Sequence, residues 1–131
     1  MIYLDANVVI RLVEGDSATR TPLAARLAAT LGVPRSLVTS RLTRLECRSK
    51  PLRAGDLATL AQFEVFFAGV ELVIVELGPA VVERATELCA RYNLKTPDAI
   101  HYATAVEVGA SVFLTGDRGL SHCSEVPIEL L

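Results

Sequence analysis

The chain has 131 residues, 51% of them apolar and 21% charged, with a formal net charge of -2. That length suits one domain with a real core, and the composition is that of a globular protein, which excludes a disordered chain. A protein that grips nucleic acid mainly by neutralising phosphates is basic, so any such role here needs a local basic patch or bound cations.

No apolar run reaches the length of a membrane span. The N-terminus has no basic region and carries Asp5 inside its first apolar stretch, so it does not read as a signal peptide. The expectation is a cytoplasmic protein with no membrane association. Cys47, Cys89 and Cys123 are isolated and show no Cys-x-x-Cys spacing. They suggest neither a disulfide framework nor a structural zinc site, and read as buried or semi-buried thiols.

In chain order, Ile2-Tyr3-Leu4 is a short apolar strand, followed by Asp5-Ala6-Asn7 and a helical pattern over 8–13. Thr21-Pro22 places a cap before a proline at the first helical position, which predicts a helix to residue 31, stopped by Gly32. A strand over 36–39 precedes a helix over 41–49 that Pro51 should end. A further helix over 55–67 and a strand over 71–75 follow. Gly78-Pro79 opens a helix in which Val81, Val82, Ala85, Leu88, Cys89 and Tyr92 recur at helical spacing. Thr96-Pro97 caps the next helix, which should end near Gly109, and strands over 111–115 and 126–130 close the chain. Strands separated by helices imply parallel βαβ units, so the expected fold is α/β, one domain over 1–131 with helices on both faces of the sheet.

In such a fold, strand C-termini and helix N-termini share one edge of the sheet, where ligands bind. Asp5 ends the first strand. Asp117 lies just past the strand containing Phe113. Asp98 sits in the first turn of its helix. Glu46 lies about five residues into the helix after the second strand, roughly 8 Å down its axis, but its long side chain leans back toward the helix N-terminus. Each has a plain structural reading: a helix cap for Asp5, dipole placement for Asp98, turn chemistry for Asp117 and a solvated face for Glu46. Their convergence on one edge points instead to a cluster that would repel itself unless a divalent cation sat in it. Oxygen-only ligands favour a hard ion, Mg2+ or Mn2+. Asn7 and Thr115, short polar groups on that edge, either orient the acids or make ordinary turn hydrogen bonds.

Arg41, Arg44 and Arg48 form one helical stripe, extended by Lys50 and Arg53. They read either as an RNA-backbone contact or as a solvated face. His101 follows Asp98 by three positions and reads as a supporting group or as a satisfied helix histidine. His122 looks like surface loop chemistry. Leu57, Leu60, Ala61, Phe63, Phe66 and Phe67 serve either plain core packing or a surface for a second subunit or partner peptide.

With these residues on view, the chain resembles the PIN-domain ribonucleases, and among them the VapC-type toxins of toxin–antitoxin pairs. The motifs are Met-Ile-Tyr-Leu-Asp-Ala-Asn-Val-Val-Ile at the start and Leu45-Glu46 within a short helix. Thr96-Pro97-Asp98-Ala99-Ile100-His101-Tyr102-Ala103 and Leu114-Thr115-Gly116-Asp117 complete them. The resemblance implies a three-layer α/β/α sandwich around a parallel sheet of four or five strands. It also implies Mg2+- or Mn2+-dependent endonuclease activity on RNA, with Asp5, Glu46, Asp98 and Asp117 as catalytic metal ligands. A homodimer and a cognate antitoxin, able to insert an arginine among the acids, are implied as well. Many relatives carry a further acid near the closing motif, where this chain has Gly119. Two other readings share the α/β edge: a phosphate-transfer domain using Asp5, and a catalytically inactive PIN-like module that binds RNA or protein.

Overall fold

The computed structural model describes every residue from Met1 to Leu131. Strand β1 is Ile2–Leu4, followed by helices α1, Ala6–Glu14, and α2, Ser17–Arg26. A 3-10 turn at Ala28–Thr30 leads to β2, Leu37–Ser40, then to α3, Arg41–Ala54, and α4, Leu57–Phe67. Next come β3, Leu72–Val75, α5, Pro79–Tyr92, and α6, Thr96–Glu107. β4 is Val112–Thr115, and a 3-10 turn at Arg118–Leu120 precedes β5, Ile128–Leu130.

The strands form one five-stranded, all-parallel sheet in the order β3-β2-β1-β4-β5. The chain works outward from β1 through β2 to β3, then returns to the other side of β1 for β4 and β5. The C-terminal ends of β1 and β4 therefore flank the topological switch point, where open α/β sheets form their ligand crevice.

Strand alternation divides the core between two faces. Tyr3, Val38 and Phe113 enter one cluster with Leu88, Ala99, Tyr102 and Ala103 from α5 and α6. Leu4, Leu37 and Leu114 enter the other with Val8, Leu23, Cys47 and Phe63 from the first four helices. The result is the three-layer α/β/α sandwich. Phe113 is the hub of the first face: its ring stacks on Tyr3 at 4.9 Å and meets Tyr102 edge-on at 5.4 Å.

Two helices differ from expectation, and proline is the reason both times. The second helix starts at Ser17, because the Asp16 side chain accepts the Thr19 amide at 2.9 Å and outranks Thr21 as the cap. Pro22 then lies inside the helix. Pro51 does not stop α3 either. It falls on the same buried stripe as Thr43 and Cys47, so the burial of its ring offsets the hydrogen bond its missing N–H forfeits. The helix ends at Gly55, whose φ of 67° favours a residue without a Cβ.

The apolar segment of α4 is split in use: Phe63 and Phe67 are buried in the core, while Leu57 and Val65 point outward, each 75% exposed. The cysteines are all free, two of them buried, and burial pushes the Cys47 thiol up to about 12 and that of Cys123 to about 11. No helix is long and apolar enough to cross a membrane.

Phe113 is fully buried. Phe113→Ala is expected to lower the free energy of unfolding by about 3–5 kcal/mol. Urea titration followed by circular dichroism measures it, and a loss below about 1 kcal/mol would show that this ring is not the hub its contacts suggest.

Candidate active site

Asp5 follows β1 and caps α1. Its Oδ1 accepts the Ala6 amide at 2.8 Å. Its Oδ2 accepts from Asn7 Nδ2 at 2.9 Å and from Thr115 Oγ1 at 2.7 Å. Thr115 ends β4, and its hydroxyl oxygen accepts the Asp117 amide at 2.9 Å, while Asn7 Oδ1 accepts the Gly116 amide at 2.8 Å. One carboxylate thus ties together the ends of the two strands that flank the switch point. Asp5 is only 5% exposed, and a carboxylate in that position is tolerable because three donors satisfy most of its lone pairs.

The other acids approach the same rim. Asp117 Oδ1 accepts the Gly119 amide at 2.8 Å, so its turn chemistry and its place at the end of β4 coexist. Asp98 lies in the first turn of α6. Burial pushes its carboxyl up, and the negative charges of Asp117 and Asp5 push it further, against smaller pulls from His101 and Lys95. Glu46, on α3, meets His101 of α6: Nε2 lies 3.0 Å from Glu46 Oε1 and 3.9 Å from Asp5 Oδ1.

No lysine or arginine lies within 4.0 Å of any of the four carboxylates. Elsewhere the acids are mostly matched. Glu64, Glu76, Glu87, Glu107, Glu125 and Glu129 pair with arginines, and Asp16 and Asp56 cap helices. Glu71 accepts the Gly32 amide. The rim between β1 and β4 is where negative charge is gathered with no lysine or arginine paired to it.

The basic stripe forms no ion pair with those acids. Arg41 pairs with Glu76, and Arg44 with Glu64 at 2.9 Å, its guanidinium also resting 5.0 Å from the Phe67 ring centre. Arg48 Nε lies 3.1 Å from Glu64 Oε1 without hydrogen-bond geometry. The three arginines, with Leu45 and Leu52, line a shallow groove of about 430 Å³ that includes none of the four acids. No cavity of the molecule is lined by those acids, so the site is an open rim.

Tyr3 and Arg11 at the rim escape sequence reasoning, as do the partners of His101. The Tyr3 hydroxyl and His101 Nδ1 share a hydrogen bond of 2.8 Å. Strand alternation carried the signal, since Tyr3 and Asp5 are two residues apart and share a face. His101 is 2% exposed, with both ring nitrogens engaged. Arg11 lies one turn beyond Asn7 on α1, and its guanidinium packs on Gly116, where a Cβ would come within 2.7 Å of Nη2. It is half-buried and has no carboxylate partner within 4.0 Å. Helical i, i+4 spacing from Asn7 was its only trace.

The donor chemistry suits a hard divalent ion: oxygens only, uncompensated charge, and no thiolate or second imidazole beside them. No three of these groups are drawn together into a closed cage. Mg2+ seldom needs one, since it keeps several waters and takes one or two carboxylates directly. The residues present fit such an ion with the remaining acids reaching it through water.

A family model for the PIN domain matches residues 2–126. No curated protein matches the sequence. Among solved structures, the chain is similar to VapBC2 from Rickettsia felis bound to a promoter DNA fragment. The TM-score is 0.78 at 13% identity, covering 99% of this chain and 98% of that one. It is also similar to a toxin–antitoxin complex from Klebsiella pneumoniae (TM-score 0.71, 22% identity, 96% and 95% covered). A third is VapC20 of Mycobacterium tuberculosis, described as a sarcin-ricin loop cleaving toxin (TM-score 0.69, 21% identity, 97% and 99% covered). At these identities the likeness is one of fold.

The raised carboxyl of Asp98 has a thermodynamic consequence. In the window between the ordinary carboxylate range and its higher folded value, the native state binds more protons than the unfolded chain, so stability falls as pH rises through it. Asp98→Asn removes that penalty. With EDTA present, its melting temperature is expected to exceed that of wild type near pH 7 and to converge with it near pH 3. A lower melting temperature near pH 7 would show that neither burial nor the neighbouring charges penalise the Asp98 carboxylate.

Proposed function

The chain belongs to the PIN domain family, and on that premise we propose that it is a divalent-metal-dependent endoribonuclease, the cytoplasmic toxin of a VapBC-type toxin–antitoxin pair. The observation that carries the proposal is the rim at the switch point, where burial and the charges of Asp117 and Asp5 raise Asp98 and no lysine or arginine forms an ion pair with any of the four acids. The open shape of that rim favours a long polymer over a small molecule, which would call for a concave pocket.

Asp5, Glu46, Asp98 and Asp117 would hold Mg2+ or Mn2+, directly or through water. When bound, such an ion supplies Lewis-acid stabilisation of the charge that develops as water attacks a phosphodiester. Asn7 and Thr115 hold Asp5 in place by filling Oδ2. For the RNA backbone, Arg11 is the half-buried cation beside the rim that no acid occupies. Arg41, Arg44 and Arg48 could serve only by exchanging Glu76 and Glu64 for phosphate.

An antitoxin partner is supported by the toxin–antitoxin complexes among the similar structures, each under 25% identical. The outward Leu57 and Val65 are available to it or to a second copy of the chain.

Phosphate transfer to Asp5 is disfavoured. It is nearly buried and three donors hold its two oxygens, which leaves Oδ1 a lone pair for a small ion but little access for a phosphoryl group. An inactive PIN-like binding module is the competing reading, and it draws on the lack of a closed three-ligand cage.

One pair of measurements decides between them. Mn2+ is expected to raise the melting temperature of wild type, because an ion that binds only the folded chain stabilises it. Asp5→Asn should fold but cut RNA at least about 100-fold more slowly with Mn2+, since even groups that only support a metal ligand cost about 10–100-fold when removed. Undiminished cleavage would reject the site. A wild-type protein that neither gains stability from Mn2+ nor cuts RNA would favour the inactive module.

A further inference from the structure

Glu46 differs from the other three acids in how it is held. It has the longest side chain and starts from the second turn of a helix, not from a strand end or a helix N-terminus. Asp5 is fixed by three donors, and Asp117 by the Gly119 amide. Glu46 has one protein partner, His101 Nε2, on its Oε1.

We infer that His101, oriented by Tyr3, is a positioning residue that fixes Glu46 at the rim beside Asp5. The inference rests on the metal-dependent reading above and deepens it.

The geometry dictates the direction of the hydrogen bonds. A phenol carries its proton at neutral pH and needs an acceptor when buried. Tyr3 is fully buried, with its hydroxyl 2.8 Å from His101 Nδ1 and also beside Thr39 and the Ser40 amide. A carboxylate only accepts, so the Nε2 that faces Glu46 at 3.0 Å carries the ring proton, and Nδ1 of the neutral imidazole is left to accept from Tyr3. Hydrogen bonds in series polarise one another, so the Tyr3 donor strengthens the grip of His101 on the carboxylate.

The Tyr3 ring cannot swing away, being stacked on Phe113 at an interplanar angle of 8°. The hydroxyl of Tyr3 is thus anchored by the core, the imidazole by the hydroxyl, and Glu46 by the imidazole. Because only Oε1 is engaged, Oε2 keeps its lone pairs for an ion. The same imidazole nitrogen stands 3.9 Å from Asp5 Oδ1, so holding His101 also sets the approach of Glu46 to Asp5.

The test uses the full chain and Mn2+ alone as the probe, with its dissociation constant measured by calorimetry. His101→Leu removes both hydrogen bonds and is expected to weaken Mn2+ binding about 10–100-fold, as loss of groups that orient metal ligands does. His101→Gln can donate to Glu46 and accept from Tyr3 with one amide, and should stay within a few-fold of wild type. Tyr3→Phe should weaken binding less than His101→Leu. In the metal-free protein, nitrogen NMR of the imidazole should find the Nε2–H tautomer in wild type and a mixture in Tyr3→Phe.

Excess Mn2+ should restore RNA cleavage to His101→Leu, which it would not do for a variant that is merely misfolded. If His101→Leu does not fold, Tyr3→Phe carries the test, and unchanged Mn2+ affinity with an unchanged tautomer overturns the inference. So does a folded His101→Leu that binds Mn2+ like wild type, or an Nδ1–H tautomer in wild type. A wild-type protein that binds no Mn2+ overturns the metal-dependent reading and this inference with it. Wild-type Mn2+ binding with indifferent variants overturns the inference alone.

Discussion

The structure turns on a carboxylate buried at the junction of two strands. Asp5 is held by donors from its own helix and from the end of β4, and no cation answers it. A buried acid of this kind is costly without its hydrogen bonds, so it enforces the local geometry around it. Thr115 must end β4 beside β1, and Asn7 must lie on the first turn of α1 with its amide turned inward. The Gly116 amide must point back to Asn7, and Gly116 must leave room for the Arg11 guanidinium. The parallel pairing of β1 with β4 and the polar network at their ends therefore specify one another.

β1 is short, yet it serves both faces of the sheet and the rim. Leu4 packs under the first four helices, whereas Tyr3 and Asp5 face α6. That side of the strand is apolar at its centre and polar at its end. Phe113 stacks on the ring of Tyr3, while the hydroxyl of the same residue meets His101. Core packing thus reaches the rim through a single side chain, and the rigidity of the aliphatic and aromatic layer is transmitted to the acids without a loop intervening. A site built on strand ends and helix turns is held more closely than one hung on loops.

Much of this was legible in the sequence, because it depends on periodicity and on residues at the ends of elements. The alternation of strands and helices, the placement of Asp5 and Asp98 at element ends, and the turn around Asp117 follow from local patterns. What was not legible depended on pairing between remote segments. Nothing local to His101 says that its partners are Tyr3, 98 positions away, and Glu46, 55 positions away. The prolines misled for the opposite reason. Pro22 and Pro51 obey local rules in isolation, but a better cap at Asp16 and a buried stripe through Thr43 and Cys47 override them. The arginine stripe of α3 was correctly seen as a stripe, but its acid partners lie on α4 and in the loop after β3, beyond any helical spacing.

On the proposed function, the charge ledger accounts for an acidic chain approaching a polyanion. Most of its acids are already neutralised in place, by arginines on the surface or by helix amides at caps, so the net charge of -2 says little about any one region. The field is concentrated at the rim, and there it repels both RNA and the site's own members. A divalent ion would reverse the sign of that region and offset the burial and like charges that lift Asp98, so on the proposed function the same ion would stabilise the fold and admit the substrate. Arg11, half-buried one turn below Asn7, then becomes a second positive group next to the reversed rim. It has no acid to satisfy, which makes it the side chain best placed to gain from a phosphate. Chelation should on this account do two things together: loosen the protein by restoring repulsion, and raise the barrier to RNA by restoring the negative edge.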